Sequence, residues 1–427
     1  MGLETCVCNS CLEPARFRIL RLKESRPKRS RADFDQPSIS KPGKVMLVWT
    51  RVTLLICALL GASLVFAQGV SSRPLVIRVL LAQQSRASVV MATSHTAVFQ
   101  DGSVMTQSAQ PLEWRFSVTS TGKIGVETSS GVFDTGRQMM TLQSDAGGYF
   151  QFAGTVYRGS AIVITKGSGL TVVNALDVED YVRGILPREM PSNWEDEALK
   201  SQAVIARTYA ISRLNQSGDY DVCATEQCQV YQGASAETPR GNGASDATRG
   251  LILSWQGRPA QTFFHADSGG FTASSREIWG GEIPYLQARP DPGGRASAAP
   301  WRITVSNSTL QSAINRFASG VGAYRSIAIE SRTASGRPAS ILIQGASGSA
   351  RITGTSVYSF CRALGAKSSM IGLENSNPLV VVGYGNGHGV GLSQYGARSF
   401  AAQGYAYTQI LGYYYPGVSI GQYEVVQ

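Results

Sequence analysis

Asp180-Tyr181-Val182-Arg183-Gly184-Ile185-Leu186-Pro187-Arg188-Glu189-Met190-Pro191 leads into Ser192-Asn193-Trp194-Glu195 and then Asp196-Glu197-Ala198-Leu199-Lys200-Ser201-Gln202-Ala203-Val204-Ile205-Ala206-Arg207-Thr208-Tyr209-Ala210-Ile211. Here the chain changes period. Pro187 and Pro191 bracket Glu189, so a stiff, non-helical turn is predicted around it, because proline fixes its own φ and restricts the residue before it. Ser192 to Glu195 reads as a capping box, with Ser192 as N-cap and Glu195 at the third helical position. The alanine-rich run that follows has no glycine or proline and predicts a helix of several turns. Leu199, Ala203, Ala206 and Ala210 share one face of it, and their small size implies close packing against another element.

Upstream, the text is made of strands. Leu75–Leu81, Val89–Met91, Glu113–Val118, Phe150–Phe152, Tyr157–Val163 and Gly169–Ala175 are short, rich in β-branched or aromatic residues, and separated by glycine and serine turns. Downstream, a second helix is expected over Ser308–Ala318. Strands near Ser326–Ile329 and Ser340–Ile343 flank a turn at Gly336. The densest glycine text is Gly383 to Gly396, and no internal repeat is evident. The fold class expected is mixed α+β: a β-rich scaffold, a long helix after the Glu189 turn and a glycine-rich C-terminal motif. The regions expected are an extension (1–45), an export segment (46–67), a β-rich N-terminal region (68–150) and a domain that carries the chemistry (151–427).

Of the 427 residues, 43% are hydrophobic and 16% charged, a globular composition. The net charge of +10 is unevenly placed. Residues 1–67 hold 11 of the 39 basic and 5 of the 29 acidic residues, which leaves 28 against 24, or +4, for the rest. A nucleic-acid-binding role therefore loses most of its support. Residues 1–44 are polar and basic. After Met46 and Arg51, the apolar run Val52–Ala67 ends with Val65 and Ala67 at the −3 and −1 positions of a small-residue cleavage site. That is the pattern of a secretory signal peptide, with an uncleaved membrane anchor as the competing reading. Translation is expected to start at Met46. Cys6, Cys8 and Cys11 lack the partners a zinc knuckle needs. Cys223 and Cys228 are close enough for a local disulfide, or stand as free thiols.

Several stretches are candidates for chemistry. Glu189 has the apolar neighbours Ile185, Leu186, Met190 and Trp194, which should raise its proton affinity as a general acid requires. Read from residue types alone, a loop carboxylate that caps the following helix or pairs with Arg188 is the plainer account. Lys200 and Arg207, seven residues apart, share a helix face with Tyr209 nearby, and suit either sugar binding or a solvated surface. Phe263–Thr272 packs His265, Asp267 and Ser268 into one turn but lacks the strand-turn-helix context of a nucleophile elbow. Gly383–Ala397 holds His388, Ser393, Gln394 and Tyr395 among alternating glycines, without the Lys-Ser/Thr ending of a phosphate loop.

Three stretches in order resemble the stage II sporulation protein D (SpoIID/LytB) family: Asp180–Ala210 as quoted above; Phe264–Thr272 with Trp279-Gly280 and Tyr285-Leu286; and Gly387-His388-Gly389-Val390-Gly391-Leu392-Ser393-Gln394-Tyr395-Gly396-Ala397, followed by Tyr414-Tyr415-Pro416-Gly417. The likeness runs from about Tyr157 to the C-terminus, so that 151–427 is the SpoIID/LytB-like domain. It implies an exported peptidoglycan lytic transglycosylase, active in the periplasm, the cell wall or at the outer face of the membrane. The family's catalytic glutamate falls on Glu189, and its helix Lys and Arg on Lys200 and Arg207. Tyr209, Asp267, Ser268, His388, Ser393, Gln394 and Tyr395 are then candidates to hold substrate. Some members bind zinc near the position of Cys223 and Cys228. No histidine stands beside them here, which favours a disulfide and no cofactor. The family also contains amidase enhancers, so the rival expectation is a non-catalytic wall-binding partner of an N-acetylmuramoyl-L-alanine amidase. In either case the partner is peptidoglycan glycan, and nucleic acid is not expected.

Overall fold

The computed structural model describes residues 23–24 and 74–423, apart from 146, 216, 295–298 and 375–376. The expected export segment, the cysteines at 6, 8 and 11, and all of the extension except Lys23–Glu24 lie outside these residues. Lys23–Glu24 pairs antiparallel with the strand Ser419–Gln422. Among the described residues, no helix is long and apolar enough to cross a membrane.

The fold is α+β. Two sheets form the N-terminal half. One has the spatial order 222–223, 76–84, 169–177, 160–166, 139–144, 95–99, 104–108. The other runs 155–158, 149–152, 86–91, 112–118, 124–128, 131–134. Both send alternate residues into one core, because side chains on a strand point to opposite faces in turn. Ile77 and Val79, Val89 and Met91, Trp114 and Phe116, Met140 and Leu142 all meet there. Described residues from 74 to 150 share this core with the strands that follow. Strand Tyr149–Phe152 spans the expected boundary, and strand Val76–Gln84 pairs along its length with Gly169–Asp177. The expected strand Tyr157–Val163 is two strands, Thr155–Arg158 and Ser160–Lys166. They are divided at Gly159, whose φ of +81° and close approach to the Ala175 carbonyl suit only glycine.

Helix α1 (Val178–Glu189) follows the strand Gly169–Asp177 without a break. Asp177 caps it, its carboxylate accepting from the Glu179 N–H at 2.9 Å. The proline-bounded turn expected around Glu189 is therefore the last turn of a helix. Pro187 sits inside it, and the chain leaves helical geometry only at Met190, whose N–H still reaches the Leu186 carbonyl. A proline so near the C-terminal end forfeits one intrahelical bond but leaves the remaining turns intact. Helix α2 (Asp196–Ser212) begins after Glu195, not at the expected Ser192 cap. The Ser192 hydroxyl is taken by Thr238 Oγ1 at 2.8 Å, across to the start of α3 (Pro239–Ala247).

The two long helices are tied by an ion pair in the interior. Arg207 on α2 donates through Nε and a terminal nitrogen to both oxygens of Glu179 on α1, at 2.9 and 2.7 Å. Its remaining donors reach the carbonyls of Leu251 and Ser245, and Gly250 N–H also donates to Glu179. Arg207 is wholly buried and Glu179 is 2% exposed.

The remaining helices are α4 (Ser275–Trp279), α5 (Asn307–Phe317), α6 (Thr355–Ala363), α7 (Gln394–Ala402) and α8 (Tyr407–Tyr414). Residues 301–383 build a subdomain with a core of its own: α5, α6 and two three-stranded sheets close around Leu310, Ile314, Ile341, Ile343, Phe360 and Val381. The expected helix at 308–318 and the hairpin about Gly336 both lie here.

Removing one member of a buried pair leaves the other charge without compensation. Arg207→Met is expected to lower the unfolding free energy by about 3–5 kcal/mol. The double variant Glu179→Leu/Arg207→Met should lose clearly less. Urea unfolding followed by tryptophan fluorescence measures both.

Candidate functional site

The last turn of α1 presents Glu189. Its Oε1 accepts from the Val230 N–H at 2.9 Å, and Oε2 has no bonding partner among the described residues. Its main-chain carbonyl, one of those a helix end leaves unsatisfied, accepts from Gln394 Nε2 at 2.9 Å. Gln394 stands at the start of α7, and the same nitrogen lies 3.4 Å from Oε1 of buried Gln202 on α2. Three helices and one loop thus meet at Glu189. Burial raises its proton affinity most. The Val230 N–H opposes that by stabilising the carboxylate, and the charge of Glu226 adds to the rise. Arg188, the partner that a plain surface reading gives Glu189, points outward as an exposed residue.

The loop that supplies Val230 is closed by a disulfide. Cys223 and Cys228 are bonded, with their Cα atoms 5.5 Å apart. Val222–Cys223 adds in parallel to strand Val76–Gln84, so one end of the loop is part of the seven-stranded sheet. At the other end, Gln229 accepts from the Tyr181 hydroxyl at 3.2 Å, and Tyr231 donates to Asn174 at 2.6 Å. This loop carries no catalytic motif in the sequence. Only the paired cysteines hint that it is held in place.

Opposite lie the two glycine-bearing stretches. Phe264–His265 pairs in parallel with Leu392–Ser393, and single bridges join Asp267 to Asn386 and Ala273 to Val390. The approach is tight. A Cβ on Gly391, at φ +73°, would collide with the Phe263 carbonyl oxygen. Tyr395 N–H donates to Ala266 O at 3.0 Å, and the Tyr395 ring meets that of Trp194 at 4.9 Å. Arg398 lies over the other ring of the pair, 5.1 Å from the Trp194 centroid.

The structure sorts the candidate residues. Glu189, Gln394 and Tyr395 come together with Trp194. Arg207 does not reach the site, since its four hydrogen bonds all serve the interior. Lys200 is half-buried at the helix surface and pairs with Glu197 at 2.6 Å, while Glu197 also accepts from the Tyr407 N–H. Tyr209 packs on the N-terminal core beneath Arg213. Ser268 and Ser393 are fully buried and Asp267 nearly so. Ser268 donates to Asp291 at 2.6 Å, Tyr414 donates to the same carboxyl at 2.8 Å, and Ser393 caps α7. These residues hold the loops together. Asp291, at their centre, is missed by sequence reasoning because no pattern marks it. His388 is enclosed by Phe263, Trp279 and His265. Its Nδ1 accepts from the Val390 N–H, so burial and the nearby Arg337 guanidinium push it down to about 4. It is neutral at pH 7 and serves the loop. Arg337 itself comes from the 301–383 subdomain. It donates to the carbonyls of Ser268 and Phe271, and burial lowers it to about 10.

Comparison with known proteins identifies the family. Residues 166–255 match the SpoIID family, described as stage II sporulation protein. The chain is 34% identical over 280 residues to an uncharacterized protein of Brachyspira hyodysenteriae, covering 65% of this chain and 75% of that one. It is 29% identical over 269 residues to stage II sporulation protein D of Bacillus subtilis, covering 58% and 76%. It is 28% identical over 291 residues to the amidase enhancer of Bacillus subtilis, covering 57% of this chain and 40% of that protein. The matched segment contains α1, Glu189, α2 and the disulfide loop. The chain belongs to the SpoIID family.

Proposed function

We propose that the protein is an exported peptidoglycan lytic transglycosylase with Glu189 as its single general acid and base. The observation that carries this reading is the environment of Glu189: a half-buried carboxyl with one oxygen on a fixed N–H, the other without a partner among the described residues, and a proton affinity raised by burial. A hydrolase normally works with two carboxylates that flank the bond, one as acid and one to activate water or attack. A lytic transglycosylase needs one, because the C6 hydroxyl of the muramic acid attacks its own anomeric carbon. The tethered nucleophile has a high effective concentration. Protonated Glu189 gives its proton to the glycosidic oxygen between N-acetylmuramic acid and N-acetylglucosamine, and that C–O bond breaks. The carboxylate then takes the C6–OH proton as the 1,6-anhydro bond closes. Glu189 ends as it began, protonated. Tyr395, packed against the buried Trp194 ring, offers an aromatic surface beside it, and Lys200, whose ammonium is paired with Glu197, is the candidate on α2 for sugar hydroxyls.

The amidase enhancer among the relatives supports a second reading, in which the same surface binds wall glycan and stimulates an N-acetylmuramoyl-L-alanine amidase without cutting. Purified protein on glycan strands separates the two. Under the first reading, mass spectrometry finds new anhydro-muramic ends, and Glu189→Gln reduces their rate at least about 10³-fold while binding to sacculi persists. Wild-type protein that makes no anhydro ends but accelerates an added amidase leaves the second reading standing.

The raised proton affinity has a thermodynamic cost that can be measured. A carboxyl whose folded pKa exceeds its unfolded one supports the fold below the unfolded value and loses that support as pH rises through the folded value. Glu189→Gln removes this dependence. The variant should therefore melt higher than wild type at pH 7, and the difference should shrink as the pH falls towards 4.5. Calorimetry across that range tests it, and a variant that melts no higher than wild type at pH 7 counts against the enclosed-acid account.

A further inference from the structure

The six-stranded sheet of the N-terminal half carries a row of residues that the Glu189 site does not use. Arg86 lies opposite Ser117, Ser117 opposite Gly125, and Gly125 opposite Asp134. The row thus crosses four neighbouring strands, Arg86–Met91, Leu112–Val118, Ile124–Thr128 and Gly131–Asp134. Trp114, Phe116, Ile124 and Val126 point into the core. Ser117 and Gly125, out of phase with them, face away from it. With strands about 4.8 Å apart, the row is about 14 Å long.

Gly125 is not among the glycines with positive φ, so space and not backbone conformation demands glycine there. A Cβ would lie 2.5 Å from Val132 Cγ1, 3.0 Å from Thr119 Cγ2 and 3.1 Å from Ser117 Oγ. Those three side chains therefore close over Gly125, and they floor an open cleft of about 580 Å³. Bends and turns at Ser85, Ser120 and Ser168 supply its rim. Among the described residues, the hydroxyls of Ser85, Ser117, Ser120 and Ser168 and the exposed guanidinium of Arg86 make no hydrogen bond or ion pair. At the far end, Asp134 accepts from the Thr121 hydroxyl and the Gly136 N–H at 2.7 and 2.8 Å. Each of its oxygens keeps a further lone pair.

We propose that this cleft is a second, non-catalytic site that holds a glycan strand of peptidoglycan. Four unclaimed hydroxyls in one cleft match a ligand made of hydroxyl and acetamido groups. Val132 and the Thr119 methyl offer apolar surface to the C–H face of a sugar ring. Asp134 accepts from sugar hydroxyls and repels a polyphosphate or nucleic acid. Arg86 is a cation with no compensating protein charge, and it suits the carboxylate that each muramoyl unit carries on its lactyl arm or its stem peptide. The row is long enough for a short run of sugar rings. The choice of peptidoglycan among glycans rests on the wall-acting reading above. The site itself shares no residue with the surroundings of Glu189, and all of its lining except Ser168 precedes the segment that matches the family. It serves the protein equally whether Glu189 cuts glycan or only helps an amidase.

Retention of the full chain on purified sacculi tests the site, in a Glu189→Gln parent that leaves the strands uncut. Hydrogen exchange read by mass spectrometry locates the contact. Glycan should slow exchange over residues 117–134 of the parent. Arg86→Gln removes the cation. Ser117→Val fills the floor from a strand position that suits a β-branched residue. Each should raise the apparent dissociation constant about fivefold and remove the protection at 117–134, with the melting temperature unchanged. High salt should weaken the parent and leave Arg86→Gln nearly as it was. Peptide-free strands and intact sacculi distinguish the two carboxylates, since the partner of Arg86 is present in the arm where Arg86→Gln loses affinity. Oligomers of N-acetylglucosamine, which carry no carboxylate, should bind parent and Arg86→Gln alike, and an equal loss on them overturns the role of Arg86. Retention and protection equal to the parent's in both variants overturn the site while the wall-acting reading stands. A parent that neither sediments with sacculi nor gains protection overturns both. Wild-type protein that makes no anhydro ends, but is released by Ser117→Val, sinks only the lytic assignment.

Discussion

The arrangement hangs on the buried pair of Arg207 and Glu179. Both oxygens of the carboxylate and four donors of the guanidinium are used, so the charge is spent on geometry rather than on ligand. The pair fixes α1 against α2. It also fastens the end of α3 through Ser245, and strand Leu251–Trp255 through Leu251, to the same point. Glu189 lies ten residues along α1 from Glu179, nearly three turns away. Its position is thus set by a contact it does not touch. A charge pair in so dry a setting earns little net stability over a well-packed apolar substitute. Its directional bonds instead select one mutual placement of four elements.

Around that frame, Glu189 is held by groups from distant parts of the chain. Val230 arrives from the disulfide loop and Gln394 from a motif more than 200 residues later. The glycines of that motif let it run close to the 264–272 stretch, and Asp291 gathers Ser268 and Tyr414 beneath it. Most polar residues that look reactive in the sequence are used up in this scaffolding. Among the described residues, Glu189 Oε2 is left outside this scaffolding.

Much of this was legible beforehand, and the reasons are local. Strand alternation is visible at Leu75–Leu81 and Glu113–Val118 because one face is buried and the other is not. Helix α2 is visible because alanine and leucine run without interruption. Glu189 stands out through its apolar neighbours and the family resemblance. What failed depended on tertiary context. Two prolines suggested a non-helical turn, but a helix can carry Pro187 in its last turn when the preceding residues are buried and Asp177 caps the start. Ser192 looked like an N-cap, yet Thr238 claims its hydroxyl. Arg207 looked like a surface cation because nothing near it in sequence announces Glu179, 28 residues earlier. Arg337 and Asp291 have no local pattern at all. Their roles come from meeting partners that sequence order conceals.

The 301–383 subdomain has a kinetic consequence. It sits in the chain between the two glycine-bearing stretches, and the Phe264–Leu392 pairing spans 128 residues. Closing so long a loop early is entropically unfavourable, and such non-local pairing slows folding. With a core of its own, the subdomain can fold first and draw the two stretches together, turning a long flexible closure into the docking of a compact spacer. The Arg337 side chain, wedged against Ser268, Phe271 and Gly389, is one of the points where that spacer meets the finished site, with Trp301 on the Gly385 carbonyl another. Assembly then has a natural order, in which the wall facing Glu189 is completed late and a chain caught partway through folding has Glu189 in place but not the surface opposite it.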